Sequence, residues 1–366
     1  MKVVFAGGGT MGSVAPLIGI YEELKEKEPN LEVLWLGTKT GPEKDFLKTY
    51  QILFKPIIGG KLRQYFSLAN LLTPILVCLG FIQSFFILRK FKPDIVLTAG
   101  SFIAVPVIYA AWVSKIQRFV HQQDLEIGLA NKLMSKVATI ITVTFSESLS
   151  HFAHKKAFHI SNPVRKAIFS GTKEKALQIF KLKPNLKTIL IFGGGLGAQI
   201  INQMVFESVA KLTENFQVIH STGKGKEIKS QFADYFDRET NKRIEDRYRS
   251  YELFLNNEIF AAYALADLVV CRAGFSTLTE LAVLKKPALL IPIPGHQEIN
   301  AQYFAKYNAV KILKQENLNP QTFSETILYL MNNPGELITL SRNISTLIVK
   351  DAAKKYVDLI YKVVGK

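Results

Sequence analysis

The sequence predicts an α/β protein of two Rossmann-like, doubly wound domains that face each other across a cleft. Residues 3–6 form a short apolar segment that continues into a glycine loop at 7–13 and then into a helical pattern. The same order of apolar strand, glycine loop and helix returns at 188–192, 193–198 and 199–212. Strands that alternate with helices are typical of parallel sheets. A chain of 366 residues is long enough for two such domains, each with its own core.

The composition is that of a globular, basic protein. Hydrophobic residues make up 48% of the chain, and the net charge of +16 is spread evenly over both halves. This spread argues against a dedicated nucleic-acid tail, and it suits an anionic substrate, an anionic membrane or simply a basic proteome. Cys78 and Cys271 form neither a disulfide framework nor a metal-binding spacing, as in a reducing cytosol. Because the first strand follows Met1 directly, we expect no signal peptide.

The first glycine loop is a candidate ligand site. Gly7, Gly9 and Gly12 fit the G-x-G-x-x-G dinucleotide pattern. That interpretation requires an acidic residue after the second strand, but the apolar residues 31–36 are followed by Gly-Thr-Lys. NAD binding is therefore disfavoured, and the loop is expected to bring its backbone close to a phosphate or a sugar.

No charged residue lies between Arg63 and Arg89. The segment is long enough to span a membrane, but polar residues interrupt it and basic residues flank it. A spanning helix would also divide a βα domain. A helix that lies on the lipid surface, with Phe81 and Phe85 in contact with lipid, fits better. A helix that faces only the protein core is the remaining alternative.

Polar side chains follow the next two predicted strands. The strand at 94–98 leads into a turn that contains Ser101, and the strand at 119–124 closes with His121 and Asp124. A single polar residue at such a position usually shapes a turn. A cluster at the carboxyl end of a parallel strand is more typical of a binding site.

The segment after the apolar strand at 267–271 has the pattern of a phosphate site. Ser276 or Thr277 is expected to cap the following helix, whose N-terminus would hold a phosphate without a metal. Glu280, one turn further, can accept hydrogen bonds from sugar hydroxyls. Alone, this pattern favours an ordinary βαβ unit with a capped helix.

A second polar pattern follows the apolar run at 287–291. A helix is predicted to start at His296, and Gln297 and Asn300 share one of its faces, so both amides can reach one polar ligand. Because this pattern and that of Glu280 stand at neighbouring strand ends, together they favour a nucleotide-sugar site.

The rest of the second half carries weaker signals. Residues 216–220 are predicted to form a strand, and two or three helices are expected after Gln321. Residues 237–252 are dense in charge, so we expect a solvated excursion there.

Taken together, these segments resemble the MurG family of glycosyltransferases, membrane-associated enzymes that add N-acetylglucosamine to lipid I in peptidoglycan synthesis. The matching segments are GGTMGSVAP at 8–16, GSFIAVP at 100–106, HQQDLEIGLANK at 121–132, NPVR at 162–165, GGGLGA at 193–198, RAGFSTLTE at 272–280 and PIPGHQEINA at 292–301. The resemblance implies the GT-B fold. It also implies an acceptor and membrane domain at 1–162, a UDP-sugar domain at 163–345, and a C-terminal helix within 346–366 that packs back on the first domain.

The resemblance further implies which residues bind the substrates. Those expected at the donor are Arg165, Gly195, Leu255, Phe275, Ser276, Thr277, Glu280, His296, Gln297 and Asn300. Those expected at the acceptor or its phosphate are Thr10, Met11, Gly12, Ser13 and Ser101. No D-x-D motif or His/Cys cluster is present, so neither a metal nor a cofactor is expected. The helix N-terminus near Ser276 and the Arg165 guanidinium would then neutralise the diphosphate.

The sequence departs from the family pattern at positions that matter for chemistry. Met11 replaces a glycine, Ser13 replaces the histidine of the first loop, and Asp124 stands where the family has asparagine. A serine hydroxyl cannot act as a general base near neutral pH. We therefore hypothesise that Asp124 accepts the proton, with His121 or solvent as alternatives. An aspartate that only caps a helix or turn is the competing explanation.

The expected activity is inverting transfer of N-acetylglucosamine from its UDP donor to the 4-hydroxyl of the muramyl sugar of lipid I. The expected partners are UDP-N-acetylglucosamine, an undecaprenyl-diphosphate-linked muramyl peptide and an anionic membrane, with no nucleic acid. The protein is expected to be peripheral, on the cytoplasmic face of the membrane. Three alternatives remain: transfer to another lipid such as diacylglycerol, a UDP-sugar 2-epimerase, and a catalytically impaired membrane scaffold.

Overall fold

The computed structural model describes residues 1–60, 69–152, 156–194, 197–226, 235–254 and 256–365. The strands are β1 (Lys2–Ala6), β2 (Glu32–Gly37), β3 (Leu53–Pro56), β4 (Ile95–Thr98), β5 (Gln117–Gln122), β6 (Ile140–Val143), β7 (Ala157–His159), β8 (Thr188–Phe192), β9 (Gln217–Ser221), β10 (Tyr248–Tyr251), β11 (Leu268–Cys271), β12 (Ala288–Leu290) and β13 (Lys311–Ile312). The helices are α1 (Ala15–Lys27), α2 (Glu43–Lys48), α3 (Ala69–Phe91), α4 (Ala104–Val113), α5 (Leu129–Met134), α6 (Lys173–Phe180), α7 (Gln199–Leu212), α8 (Arg238–Arg247), α9 (Asn256–Leu265), α10 (Phe275–Val283), α11 (His296–Lys306), α12 (Pro320–Asn332), α13 (Pro334–Ile344) and α14 (Ala352–Val364).

The chain divides into two compact units, and both are parallel α/β folds. The first unit comprises Met1–Arg165 with Lys350–Lys366, and the second comprises Lys166–Val349. The first unit has a seven-stranded sheet in the order β3-β2-β1-β4-β5-β6-β7. The second has a six-stranded sheet in the order β10-β9-β8-β11-β12-β13. The predicted fold class of two Rossmann-like domains is confirmed.

Alternate residues of each strand explain the two-sided packing of the first sheet. Val3 and Phe5 of β1 face one core, where the Phe5 ring stacks on Trp35 at 5.4 Å. Val4, between them, faces the opposite core together with Val96. Because helices cover both faces, the strands are apolar on both sides. The order of the sheet reverses between β1 and β4, where open α/β sheets bind ligands.

The helix α14 belongs to the core of the first unit. Tyr356, Val357 and Ile360 are all fully buried in the cluster that also contains residues of α1. The Tyr356 ring lies 6.0 Å from that of Phe119. The Lys27 ammonium lies 2.7 Å from the Asp358 carboxylate, which adds an ion pair between α1 and α14 at the surface. This helix follows the whole second unit in sequence and completes the first.

Residues 237–252 are not a solvated excursion, so that prediction was wrong. They form α8 and the edge strand β10, in which Tyr248 is buried and pairs in parallel with Val218. The Arg247 guanidinium donates to the Thr213 carbonyl after α7, and Arg249 donates to the Phe180 carbonyl at the end of α6. Several of the basic side chains thus cap helix ends. The density of charge in a sequence does not distinguish such capping residues from residues that face solvent.

The helix α3 presents an apolar surface to solvent. Its segment Leu71–Phe91 is long and apolar enough to cross a membrane, and 22% of the segment is buried. The large apolar side chains exposed on it are Leu71, Leu72, Ile75, Leu76, Leu79, Ile82 and Phe86. Phe81 and Phe85 are half-buried and pack against the core of the first unit, so they offer less surface than these exposed side chains, and their contact with lipid stays a prediction. Lys61 and Arg63, predicted to flank the helix, lie outside the described residues.

Candidate functional site

The backbone of the first glycine loop is fixed by side chains from three neighbouring segments. The Trp35 indole N–H donates to the Gly7 carbonyl at 2.8 Å, and the Ser101 hydroxyl donates to the Gly8 carbonyl at 2.8 Å. The Gly9 amide donates to a carboxylate oxygen of Glu43 at 3.1 Å. The loop therefore lies at the carboxyl end of β1 in one defined conformation.

The remaining residues of this loop form a short 3-10 turn. Thr10 is exposed and precedes the turn, while Met11 and Gly12 are half-buried within it. Ser13 ends the turn and is only 7% exposed, with its hydroxyl 3.5 Å from the Thr10 carbonyl oxygen. Of the predicted acceptor residues of this loop, Thr10 is the one that solvent reaches most freely.

Ser101 adopts a backbone conformation that favours glycine. Its φ of +101° follows a φ of +95° at Gly100. A non-glycine residue in this region is strained, and it persists only where neighbours hold it. The bond from the Ser101 hydroxyl to Gly8 is such a restraint, and it ties the β4 end to the glycine loop.

The polar cluster at the end of β5 separates into buried and accessible members. His121 is fully buried, with Nδ1 2.9 Å from the Thr142 hydroxyl and Nε2 2.9 Å from the Asn162 amide oxygen. Burial lowers the pKa of His121 to about 4, so the ring is neutral near pH 7. This geometry speaks against His121 as a proton acceptor. Asp124 lies beyond the strand end and is half-buried.

Arg165 is engaged within the first unit. Its guanidinium lies 5.6 Å from the Phe46 ring centre, and the side chain is 9% exposed. The Tyr50 hydroxyl hydrogen-bonds with both Arg165 and Glu22, and burial, followed by the Glu22 charge, raises the pKa of Tyr50 to about 12. The predicted role of Arg165 at the donor diphosphate finds no support in this arrangement.

The second glycine loop packs against the turn after β9. At Gly197, with a φ of +68°, a Cβ atom would lie 2.1 Å from the Thr222 carbonyl oxygen, so only glycine fits. Asn202 donates to that same oxygen at 2.9 Å, and its amide oxygen lies 3.2 Å from Nε2 of His220. Burial lowers the pKa of His220 to about 3. Gly195 and Leu255, predicted at the donor, lie outside the described residues.

The N-terminus of α10 differs from the prediction in its cap. The helix begins at Phe275, and its N-cap is Gly274, so neither Ser276 nor Thr277 caps it. Both instead lie in the first turn, where they still stand at the positive end of the helix dipole. Phe275 is 6% exposed and its ring packs on that of Phe304.

The Glu280 carboxylate is held by a residue that the sequence did not identify. The Tyr263 hydroxyl donates to it at 3.0 Å from α9. Tyr263 is 2% exposed, whereas Glu280 is half-buried. A buried donor that orients a partly accessible carboxylate is the arrangement expected of a binding residue with a supporting partner.

The two amides of α11 have different surroundings. The Gln297 amide oxygen accepts from the Ile293 N–H at 3.2 Å, which closes the loop before the helix. Asn300 is 2% exposed and lies one turn further, while His296 is exposed at the helix start. Within the described ranges, no group of three or more His, Cys, Asp or Glu side chains is placed to hold a metal ion.

Comparison with known proteins reveals similarity over nearly the whole chain. Residues 3–143 match the N-terminal domain of glycosyltransferase family 28, and residues 188–356 match its C-terminal domain. The chain is 35% identical over 370 residues to a UDP-N-acetylglucosamine–N-acetylmuramyl-(pentapeptide) pyrophosphoryl-undecaprenol N-acetylglucosamine transferase of Clostridium botulinum, covering 100% of this chain and 98% of that one. It is 34% identical to the enzyme of the same name from Clostridium tetani, with 99% and 98% covered.

Solved structures show the same relation. The crystal structure of Acinetobacter baumannii MurG matches with a TM-score of 0.73 and 26% identity over 99% of both chains. A UDP-GlcNAc 2-epimerase from Neisseria meningitidis, bound to UDP-GlcNAc, matches with a TM-score of 0.70 and 18% identity, covering 99% of this chain and all of the other. The second likeness is one of fold alone.

Proposed function

The chain belongs to the MurG family of glycosyltransferases, and on that premise we propose which of its residues bind the substrates and carry the reaction. The family assignment makes it a UDP-N-acetylglucosamine-dependent transferase that forms lipid II from lipid I. The observation that carries the donor site is the Glu280 carboxylate, which a buried tyrosine orients beside the N-terminus of α10.

The proposed donor site lies entirely in the second unit. Glu280 accepts hydrogen bonds from the ribose hydroxyls, and the first turn of α10, Phe275 to Thr277, meets the diphosphate. Asn300 and the free amide group of Gln297 bind the transferred sugar. Charge neutralisation comes from the dipole of α10, because Arg165 is occupied in the first unit.

Replacing Glu280 with alanine is expected to weaken UDP binding by roughly 1.5–3 kcal/mol, since a charged hydrogen-bond acceptor is lost. Tyr263→Phe, which removes only the orienting donor, should have the same sign and a smaller size. Glu325→Ala is the matched control, because Glu325 is an exposed carboxylate on α12. Isothermal calorimetry with UDP measures all three. Wild-type affinity in Glu280→Ala would remove Glu280 from the donor site.

We propose that α3 docks the protein peripherally on an anionic membrane. The helix packs on α4 with one side and exposes apolar side chains on the other, and Arg89, Lys90 and Lys92 are exposed at its C-terminal end. Apolar burial in the interface and attraction of basic residues to anionic lipid act together in such helices. The proposed side is the cytoplasmic face, whose leaflet carries a negative surface potential.

The double variant Ile82→Ser with Phe86→Ser is expected to lose most vesicle binding while UDP affinity stays unchanged. These side chains are 50% and 65% exposed, so the change removes apolar surface without opening the core. Co-sedimentation with phosphatidylglycerol vesicles, at low and high salt, measures the effect. Ile338→Ser, at 68% exposure in the second unit, is the matched control. Wild-type protein that resists extraction by both salt and carbonate would instead show a spanning helix.

We propose Asp124 as the general base of the transfer. It is the carboxylate that follows β5, and the Gln122 amide fixes its backbone by donating to the Asp124 carbonyl at 2.8 Å. The acceptor hydroxyl must lose a proton as the glycosidic bond forms, and an aspartate that solvent reaches can take it. Because the transfer inverts the configuration of the sugar, it needs one base and no covalent enzyme intermediate.

Product analysis separates this function from its competitors. Mass spectrometry after incubation with UDP-N-acetylglucosamine and a lipid I analogue should show the analogue extended by one N-acetylhexosamine. Epimerised UDP-sugar without transfer would show the epimerase activity. Extension of diacylglycerol in place of lipid I would show a different acceptor, and no product with intact UDP binding would show an impaired scaffold.

A further inference from the structure

Arg272 opens the RAGFSTLTE segment, and the proposed donor site does not use it. It follows β11 directly and lies two positions before Gly274, the N-cap of α10. Its guanidinium Nη1 donates to the Ile291 carbonyl at 2.8 Å, the Pro292 carbonyl at 3.3 Å and the Gln315 amide oxygen at 3.0 Å. One side chain thus connects the end of β11 with the end of β12 and the turn after β13.

The three acceptors of Arg272 are uncharged. In the described ranges no carboxylate forms an ion pair with its guanidinium. A guanidinium presents its N–H groups in a planar fork, which lets one side chain hold several oxygens in a fixed arrangement. Arg272 therefore serves to hold backbone and an amide side chain, and not to neutralise a charge of the protein.

The backbone that Arg272 holds is not held by the sheet alone. β12 ends at Leu290, and Pro292 has no N–H with which to continue the ladder. The Ile291 N–H still donates to the Cys271 carbonyl at 2.8 Å. The carbonyls of Ile291 and Pro292 then accept from Arg272 instead of from a neighbouring strand. Arg272 therefore fixes where the following loop leaves the sheet.

This loop, residues 292–295, leads to the amides that we place at the transferred sugar. At one end of the loop the Gln297 amide oxygen accepts from the Ile293 N–H at 3.2 Å. At the other end the Glu298 carboxylate accepts from the Gly295 N–H at 3.1 Å. These two bonds tie the first turn of α11 to the loop. A shift of the loop would therefore move the Gln297 side chain.

We propose that Arg272 is a positioning residue that sets the sugar specificity of the donor site by holding the loop before α11. It acts through Gln297 and needs no contact with the ligand. The inference rests on the proposed contacts of Gln297 and Asn300 with the transferred sugar. An amide distinguishes two orientations of a hydroxyl only while its own position is fixed.

Binding of two UDP-sugars that differ at one hydroxyl tests this role without turnover. UDP-N-acetylgalactosamine carries the same nucleotide and diphosphate as UDP-N-acetylglucosamine, and only its 4-hydroxyl has the opposite orientation. The ratio of the two dissociation constants, measured by calorimetry, therefore cancels any effect of the Arg272 charge on the diphosphate. In the wild-type protein we expect UDP-N-acetylglucosamine to bind at least about tenfold more tightly, since the epimer misplaces a hydroxyl that the amides bind.

In Arg272→Met, which removes every donor of the side chain, the two affinities should agree to within about a factor of two. Arg272→Lys keeps a charged donor without the planar fork and should retain part of the ratio. Arg249→Met is the matched control, because the Arg249 guanidinium also donates to carbonyls, those of Phe180 and Lys181. Arg249 lies on β10, three positions from β11 in the sheet, so the ratio should be that of the wild-type protein.

A wild-type ratio in an Arg272→Met protein that still binds UDP would overturn the proposal. Gln297→Ala separates the inference from the sugar contacts on which it rests. Loss of the ratio in Gln297→Ala but not in Arg272→Met would support those contacts and refute the role of Arg272, whereas loss in neither variant would refute both. Because Arg272 acts through Gln297, the two effects should be non-additive in the double variant, and additive effects would also contradict the proposal.

Discussion

Replacing Asp124 with asparagine is expected to lower the turnover number by roughly 100- to 10,000-fold, the usual contribution of a general base. The substitution keeps the size of the side chain, and the bond from Gln122 to the Asp124 carbonyl is unaffected. UDP affinity should hold, because the proposed donor residues all lie in the second unit. A pre-steady-state rate measurement, together with UDP calorimetry, checks both expectations.

The structure argues against two other candidate proton acceptors, Ser13 and His121. Ser13, which stands in place of the family histidine, is turned inward and its hydroxyl has far too high a pKa to act as a base. The two ring nitrogens of His121 are engaged with Thr142 and Asn162. Glu126→Gln, an exposed carboxylate two residues further, serves as the control. An unchanged or faster rate in Asp124→Asn would eliminate Asp124 and leave solvent as the proton acceptor.

Mild acid is expected to destabilise both units because each encloses a neutral histidine. Burial lowers the pKa of His121 to about 4 and that of His220 to about 3, from an ordinary value of 6.5. The unfolded state therefore binds protons first as the pH falls. The stabilisation is complete above pH 6.5 and is lost on acidification towards pH 4 for His121 and pH 3 for His220.

Between about pH 7 and pH 5, each histidine should remove on the order of 2 kcal/mol of unfolding free energy. Unfolding titrations with guanidinium across this range measure the change in unfolding free energy. The range lies above the pH at which most carboxylates titrate. In His121→Gln and His220→Gln the dependence on pH should flatten for the unit concerned. His151→Gln, at an exposed position, should retain the wild-type slope. Equal slopes in all variants would show that these histidines do not control acid stability.

Much of the fold was predictable because its signals are local. Strand β8 and helix α7 were predicted with the bounds that the structure has, since an apolar run, a glycine loop and a helical period follow one another directly. The family resemblance is confirmed by full-length identity to named transferases. Residues 237–252 were misinterpreted because charge that caps helices and charge that faces water look alike in a sequence.

Two features of the site escaped the sequence analysis: the register of a helix start, and contacts that only folding brings together. The capping prediction for α10 failed because a shift of two residues in the helix start makes Gly274, and not Ser276 or Thr277, the N-cap. The donor role of Arg165 stays a prediction, and its contacts with Phe46 and Tyr50, more than a hundred positions away in sequence, were not foreseen. Glu43 and Tyr263 were missed because their hydrogen-bond partners, Gly9 and Glu280, come into contact with them only in the folded protein.

The return of α14 to the first unit has a consequence for how the protein is made. A ribosome releases residues 1–165 early, but the core between α1 and the sheet lacks Tyr356, Val357 and Ile360 until the entire second unit has been translated. At synthesis rates of roughly 5–20 residues per second, this delay lasts on the order of ten seconds or more. During that time the nascent first unit exposes the apolar groove that α14 will fill, in addition to the apolar surface of α3 on the opposite face of the sheet. The second unit, Lys166–Val349, is continuous and can fold first, which reverses the usual N-to-C order.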